Sequence, residues 1–391
     1  RLPGAVHRVR WDSLDVDGAW ESIRVTEDHD HLQALLVERG LVAFVRDGSL
    51  LPRKTGVSFE RLDNAVPFEA PDDLRVDLPT LHHGEVTGLG IPEGVTVITG
   101  GGFHGKTTLL EALQHGVVPH EPGDGREWTI TVSDAVKVRS EDGRAVTGVD
   151  LRPFIHDLPL GRDTEGFTSA DASGSTSLAA DILESLEVGT SLLLMDEDTC
   201  ATNLMVQDAR MQDLVRKETI TPLIDRVGEL GEQGVHTILV TGGGGDYLDV
   251  ADTVILMEDY RPRAVTEEAR AVADSRPTGR RTGEPSHPLR PTRRVLLADG
   301  LDPRRRGKVK IRTRGTDTIE YGTQDLDLAA VEQLVDYGEA RAVGALIWEI
   351  QGLCDGEKTL AELVYEAVEK ARREGITAIE DSPEVALPRP Q

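Results

Sequence analysis

Residues Gly100 to Thr108 read G-G-G-F-H-G-K-T-T, and they decide the fold. They match G-x-x-x-x-G-K-[ST] with Gly100, Gly105, Lys106 and Thr107 in the fixed places. Gly101, Gly102, Phe103 and His104 fill the variable ones, and Thr108 follows. Val95-Thr-Val-Ile-Thr99 before the loop is β-branched and mostly apolar, as a buried strand requires. Thr108-Leu-Leu-Glu-Ala-Leu-Gln114 after it has helix-forming composition, with apolar Leu109, Leu110 and Leu113. Glycines between a strand and a helix let backbone N–H groups turn inward around an anion, and the helix N-terminus adds partial positive charge. In that setting Lys106 reaches the β- and γ-phosphates of a nucleoside triphosphate, and the Thr107 hydroxyl ligates Mg²⁺. The bland alternative is a glycine-rich turn that only resembles the template. The flanking strand and helix weigh against it.

Composition sets outer limits. A chain of 391 residues accommodates two or three domains. No apolar run approaches the roughly 18 residues of a membrane span, and the N-terminus lacks the apolar stretch of a signal peptide. The sequence begins at Arg1 without a Met, which suggests a processed or trimmed form. Two cysteines, Cys200 and Cys354, make no disulfide framework and suit a reducing cytoplasm. The net charge of −26 argues against indiscriminate attraction to nucleic acid or anionic lipid.

Along the chain, residues 1–38 are acidic and weakly patterned, though Trp11 and Trp20 suggest packing on something. Gly40–Val45 reads as a strand, and further strands are expected around Trp128–Val132 and Ala135–Val138. Ser173-Gly174-Ser175 opens a helix over Thr176–Leu186. Leu192-Leu-Leu-Met195 then reads as a buried strand ending in Asp196-Glu197. Carboxylates at the end of a central parallel strand suit Mg²⁺ binding by Asp196 and activation of the attacking water by Glu197. An ordinary strand ending in a charged turn is the competing reading, and the phosphate loop disfavours it. Helices are expected at Met205–Leu214 and Pro222–Leu230, with strands at His236–Val240 and Val250–Met257. Strands alternating with helices predict an α/β fold with a parallel-rich sheet covered on both faces.

From Ser275 to Arg314 there are 13 Arg or Lys against three acids, with five prolines. One reading is an arginine-rich tether folded back on an acidic body. The other is a contact surface for nucleic-acid phosphates. Beyond it, Val309–Tyr321 reads as strands, Leu328–Val335, Ala342–Gln351 and Leu360–Glu374 as helices, and the tail from Pro383 as frayed. His82-His83 lacks ligands at metal spacing, and His104 reads as a wall of the loop.

Ala172-Ser173-Gly174-Ser175-Thr176 resembles the L-S-G-G-Q signature of ABC ATPases. Thr199-Cys-Ala-Thr-Asn203 resembles the stretch that ends in their D-loop, with Asn203 in place of the aspartate. With Leu41–Arg53, Gly90–Val95, Pro122–Glu127, Gly245–Asp252 and Ala330–Asp336, the chain resembles the soluble predicted ATPases of the ABC class from about Gly40 to Gly375. The resemblance implies a P-loop NTPase core of ABC type at residues 85–274 and a smaller N-terminal α+β domain at 1–84. A basic linker at 275–308 and a C-terminal α+β domain at 309–391 complete it. It also implies a slow cytoplasmic Mg²⁺-dependent ATPase whose two copies close on two ATP molecules, with no membrane partner. Residues 100–108, Ser173, Gly174, Ser175 and Asn203 would bind nucleotide, Thr107 and Asp196 the metal, and Lys106 and Glu197 would carry catalysis. RNA held by residues 276–314 is the suggested client. The sequence departs from the ABC pattern in two places. No clear Q-loop glutamine precedes Ser173, and Arg152–Leu158 fills that interval. Thr241-Gly242 stands where a histidine ordinarily follows the last core strand, and Asp246 is a weak substitute. Those departures favour slow turnover, or an ATP-sensing module that hydrolyses little.

Overall fold

The computed structural model describes residues 15–379, apart from 56, 57, 59, 162, 284 and 285. Trp11 and the tail from Pro383 lie outside the described residues. The first described element is a helix that patterning did not predict, α1 (Val16–Glu38), capped by the Asp15 carboxylate on the Gly18 N–H at 2.9 Å. Its buried face, Val25, Asp28, His29, Leu32, Gln33, Leu35 and Leu36, keeps helical spacing, but three members are polar. Asp28 is satisfied by the backbone N–H groups of Leu81 and His82 and by the His83 ring, and His29 by the Gly116 carbonyl. Trp20 does not pack: it is 55% exposed.

The strands then follow in order: β1 (Leu41–Arg46), β2 (Arg75–Pro79), β3 (Glu85–Pro92) and β4 (Val95–Gly100). After helix α2 (Lys106–His115) come β5 (Thr129–Thr131), β6 (Val136–Lys137) and the paired β7 (Arg144–Val149) and β8 (Phe167–Ala172). Helix α3 (Gly174–Val188) leads to β9 (Leu192–Asp196). Where one helix over Met205–Leu214 was expected there are two short ones, α4 (Thr202–Met205) and α5 (Ala209–Leu214), parted at Asp208, which caps the second. Then come α6 (Val227–Glu232), β10 (His236–Val240), β11 (Thr253–Glu258), β12 (Arg261–Ala264) and α7 (Thr266–Ser275).

Two sheets organise this body. An antiparallel one runs β2-β3-β1-β5, and a six-stranded one runs β12-β11-β4-β10-β9-β6. In the second, β11, β4, β10, β9 and β6 are parallel, and β12 alone is antiparallel. Its central strands are buried on both faces. Leu192, Leu194 and Ile238 face the core shared with α1, α2 and the antiparallel sheet. Leu193, Met195 and Leu239 face the core shared with α3. Period-two alternation therefore builds two cores from one strand. The sheet is thus the parallel-rich one, covered on both faces, that the sequence predicts.

The last part carries the hairpin β13 (Arg304–Arg305) and β14 (Lys308–Val309), and the three-stranded sheet β15 (Ile311–Arg314), β16 (Thr318–Tyr321) and β17 (Gln324–Asp327). Helices α8 (Tyr337–Leu353) and α9 (Leu360–Glu374) follow, each opened by a capping box. The helix expected at Leu328–Val335 is absent; turns replace it. Tertiary bonds explain the difference. The buried Gln333 amide donates to the Gln114 and Ala135 carbonyls at 3.2 and 3.0 Å and accepts from the Lys137 N–H at 2.9 Å. Glu332 pairs with Lys137 at 2.8 Å and with Arg139. The segment is latched to the far end of α2 and to β6.

The latch includes a titratable group. The His115 Nε2–H donates to the Glu332 carbonyl at 3.2 Å, and its Nδ1 faces the Arg126 guanidinium at 3.4 Å. Burial, and then the Arg126 charge, lower the His115 pKa to about 4. Its folded value lies below that of a free imidazole, so the unfolded chain binds more protons between those values. The contribution to stability is complete above about pH 6.5 and is lost as pH falls toward about 4, on the order of 3 kcal/mol in all. Urea midpoints measured across this range should fall with pH, and His115→Gln, which keeps a donor and an acceptor without titrating, should flatten the decline. An equally steep decline in the variant would assign the acid sensitivity elsewhere.

Candidate nucleotide site

The loop after β4 is shaped by its glycines. Gly100 has φ 143°, and a Cβ there would stand 2.3 Å from the Met257 carbonyl oxygen of β11. Gly105 has φ 94° and caps α2 in a left-handed conformation with no side chain bonding the first turn. The N–H groups that open α2 are thus left for an anion. Phe103, at φ 64°, stands 98% exposed at the loop tip. His104 braces the loop from outside: its Nδ1 accepts the Asp259 N–H at 2.8 Å, and its carbonyl accepts the Tyr260 N–H at 3.2 Å. The Lys106 ammonium folds over the loop and donates to the Gly100 and Gly101 carbonyls at 2.8 and 2.9 Å.

Parallel pairing brings the second cluster alongside. β9 runs beside β10 with Asp196 opposite Val240, and β10 runs beside β4 with Val240 opposite Ile98. The three strand ends therefore open on one edge. Thr107 Oγ1 donates to Asp196 Oδ2 at 3.3 Å, and the other Asp196 oxygen accepts the Asp198 N–H at 3.1 Å. Asp196 is 4% exposed. A hydroxyl and a carboxylate, both hard oxygen donors, fit Mg²⁺, which completes its shell with phosphate and water. Among the described residues no group of three or more His, Cys, Asp or Glu could hold a metal by itself.

Glu197 is held by the turn that follows β10. Its Oε2 accepts from Thr241 Oγ1 at 2.5 Å and from the Gly242 N–H at 3.1 Å. Asp246 makes no bond to it among the described residues. The register of β9 against β10 could have flagged Thr241: it follows the residue opposite Asp196, so it must lie beside Glu197. The segment Arg152–Leu158 carries a local ion pair, Arg152 with Asp150 at 2.7 Å and Glu165 at 3.0 Å.

Ser173, Gly174, Ser175 and Asn203 gather apart from these. Ser173 precedes the first turn of α3, and its Oγ lies 3.0 Å from Thr176 Oγ1. Ser175 Oγ donates to Asn203 Oδ1 at 2.7 Å. Ser173 and Asn203 are exposed, and among the described residues no hydrogen bond joins this cluster to the phosphate loop.

Comparison with known proteins bears on the chain as a whole. The ABC_ATPase P-loop domain model matches residues 15–294, and the model of the MRB1590 C-terminal domain matches residues 310–391. An uncharacterized protein of Methanocaldococcus jannaschii, MJ1628, is 32% identical over 243 residues, covering 60% of this chain. The match spans 54% of that relative's length. Among solved structures, MJ1267, an ATP-binding cassette of an ABC transporter in its ADP conformation, matches with a TM-score of 0.35 and 13% identity, covering 61% of this chain and 96% of its own. CbiO1 from Clostridium perfringens, part of an ABC transporter complex, matches with a TM-score of 0.36 and 14% identity, covering 60% of this chain and 93% of its own. Among the described residues no helix is long and apolar enough to cross a membrane.

Proposed function

The chain belongs to the ABC-class P-loop ATPases, and from that premise we propose that it is a Mg²⁺-dependent ATPase working as a nucleotide-driven clamp of two copies. One observation carries the reading. Ser173–Ser175 and Asn203 form a polar cluster, exposed at Ser173 and Asn203, that makes no hydrogen bond to the chain's own phosphate loop among the described residues. A second copy turned face to face would bring that cluster to the γ-phosphate held by Lys106. Within each site, the loop N–H groups and Lys106 bind and orient the phosphates, Thr107 and Asp196 hold the metal, and Glu197 takes the proton of the attacking water. Bound Mg²⁺ would supply charge neutralisation between the β- and γ-phosphates.

The competing reading is an ATP-sensing module with little hydrolysis, favoured by the missing histidine and Q-loop glutamine. Two substitutions separate them. Lys106→Ala should abolish ATP binding or cripple turnover. Glu197→Gln should spare binding and slow hydrolysis about 10²-fold or more, the scale of a lost general base. Equal turnover in Glu197→Gln and the unaltered chain would favour the sensor.

The composite site has its own test. Ser173 is exposed, so Ser173→Phe should fold and bind ATP as a monomer yet fail to dimerise or hydrolyse. Mixed with Lys106→Ala, it rebuilds one intact site per dimer, and activity should partly return. Normal ATP-dependent dimerisation of Ser173→Phe in light scattering would remove the clamp.

RNA as the client rests on the basic stretch, which the fold divides. Arg280 pairs with Asp225, Arg281 with Asp213, and Arg294 with Glu184 and Glu187. In the C-terminal part, Lys310 and Arg314 pair with Glu320. Arg305, Arg306 and Lys308 are exposed on the β13–β14 hairpin and have no acidic partner among the described residues; nor has Arg312. This hairpin is the surface we assign to single-stranded RNA, bound without sequence preference. Affinity should fall steeply from low to physiological salt. Changing Arg304, Arg305 and Arg306 together to Ser should reduce both affinity and salt slope while leaving ATP turnover alone. A flat titration at low salt would end the RNA reading.

A further inference from the structure

We infer that Thr241 is the positioning residue for the general base, and that it does so from the place where a histidine ordinarily stands. This rests on the hydrolysis reading above. Thr241 is 3% exposed, and its hydroxyl has one proton to give. It accepts the Gly244 N–H at 2.9 Å and lies 2.5 Å from Glu197 Oε2. Since its acceptor side already meets an N–H, its own proton points at the carboxylate. The Gly242 N–H fixes the same oxygen at 3.1 Å. Two donors on Oε2 leave Oε1 as the oxygen that faces a water.

Further features tie the turn to the reaction. Gly244 packs so closely that a Cβ there would stand 3.1 Å from Thr241 Oγ1 and 3.5 Å from Glu197 Oε1. A Cβ on Gly242 would stand 3.9 Å from the Lys106 ammonium. One turn therefore sets the carboxylate and borders the lysine. In the step it serves, the water oxygen bonds to the γ-phosphorus as the bond to the β–γ bridging oxygen breaks. The water proton passes to Glu197 Oε1, and ADP leaves with the bridging oxygen's electron pair. Thr241 exchanges no proton with the substrate; it fixes where Oε1 points.

The test uses the full chain with Mg²⁺ and ATP, following turnover and, separately, the affinity for a fluorescent ATP analogue. Thr241→Val removes the hydroxyl and keeps the shape; kcat should fall on the order of 10²-fold, the cost of a misplaced reacting group, with nucleotide affinity unchanged. Thr241→Ser, which keeps the hydroxyl, should restore most of the rate. In a Glu197→Gln background Thr241→Val should add nothing, because the group it positions is gone. Gly244→Ala, which crowds the same oxygen, should repeat the loss and serves as the independent variant if Thr241→Val folds poorly. Wild-type kcat in Thr241→Val or in Gly244→Ala overturns the assignment, as does equal loss in the Ser variant or additivity with Glu197→Gln. Absence of turnover in the unaltered chain is a different result: it sinks the hydrolysis reading and this inference with it.

Discussion

The site depends on parallel pairing of three strands whose ends fall on one edge of one sheet. With Val240 opposite both Ile98 and Asp196, the residues just beyond each strand have no choice of neighbour. The phosphate loop, Asp196-Glu197 and Thr241-Gly242 meet because the register makes them meet. A slip of one residue in β9 would turn Leu193 and Met195 toward the wrong core and move Asp196 off the edge, so burial of the strand polices the chemistry at its end. That explains why Leu192–Asp196 is buried along its whole length while the working groups begin at the residue where the strand stops.

The same logic reaches the C-terminal part. Lys137 lies on β6, beside β9, and pairs with Glu332 of the latch. A few residues on, the Ser140 N–H donates to the Thr199 carbonyl, Ser140 Oγ accepts the Ala201 N–H, and the Glu141 N–H donates to Ser177 Oγ on α3. Residues 137–141 thus form a string of bonds from the latch to the stretch before Asn203 and to the helix opened by Ser173. The other anchor of the latch, Gln114 and His115, is the last turn of the helix whose first turn carries Lys106. The helix that follows the phosphate loop and, through residues 137–141, the helix opened by Ser173 are therefore tied to one short segment of the C-terminal region.

Legibility in the sequence followed burial. Val95–Thr99, Leu192–Met195 and His236–Val240 were readable because strands buried on both faces leave nearly unbroken apolar runs. The phosphate loop was readable because its glycines have backbone reasons to be there, as Gly100 against Met257 shows. Helix α1 was not, because Asp28, His29 and Gln33 sit on its buried face with tertiary partners that no local pattern reveals. The false helix at Leu328–Val335 failed for the matching reason: Glu332 and Gln333 bond the core, and those bonds outweigh local propensity. Thr241 lay between. Motif reading registered a missing histidine there, and only strand register shows that the threonine lies beside Glu197.

Charge was the hardest signal to weigh, because a count says nothing about pairing. The 13 cations between Ser275 and Arg314 read as one island. The fold breaks it in two. Arg280 and Arg294 are themselves largely buried against acids of the body, where removing one partner would strand a charge away from water. Those arginines hold the connecting stretch against the ATPase core and contribute little outward field. The hairpin cations Arg305, Arg306 and Lys308 differ: they are exposed, close in sequence and without an acidic partner among the described residues, while Arg304 beside them meets Asp302. On a chain of net charge −26, a small cationic projection keeps a local field only within about one Debye length, roughly 8 Å at physiological salt. That reach is short, so such a patch cannot offset the field of the acidic body at a distance.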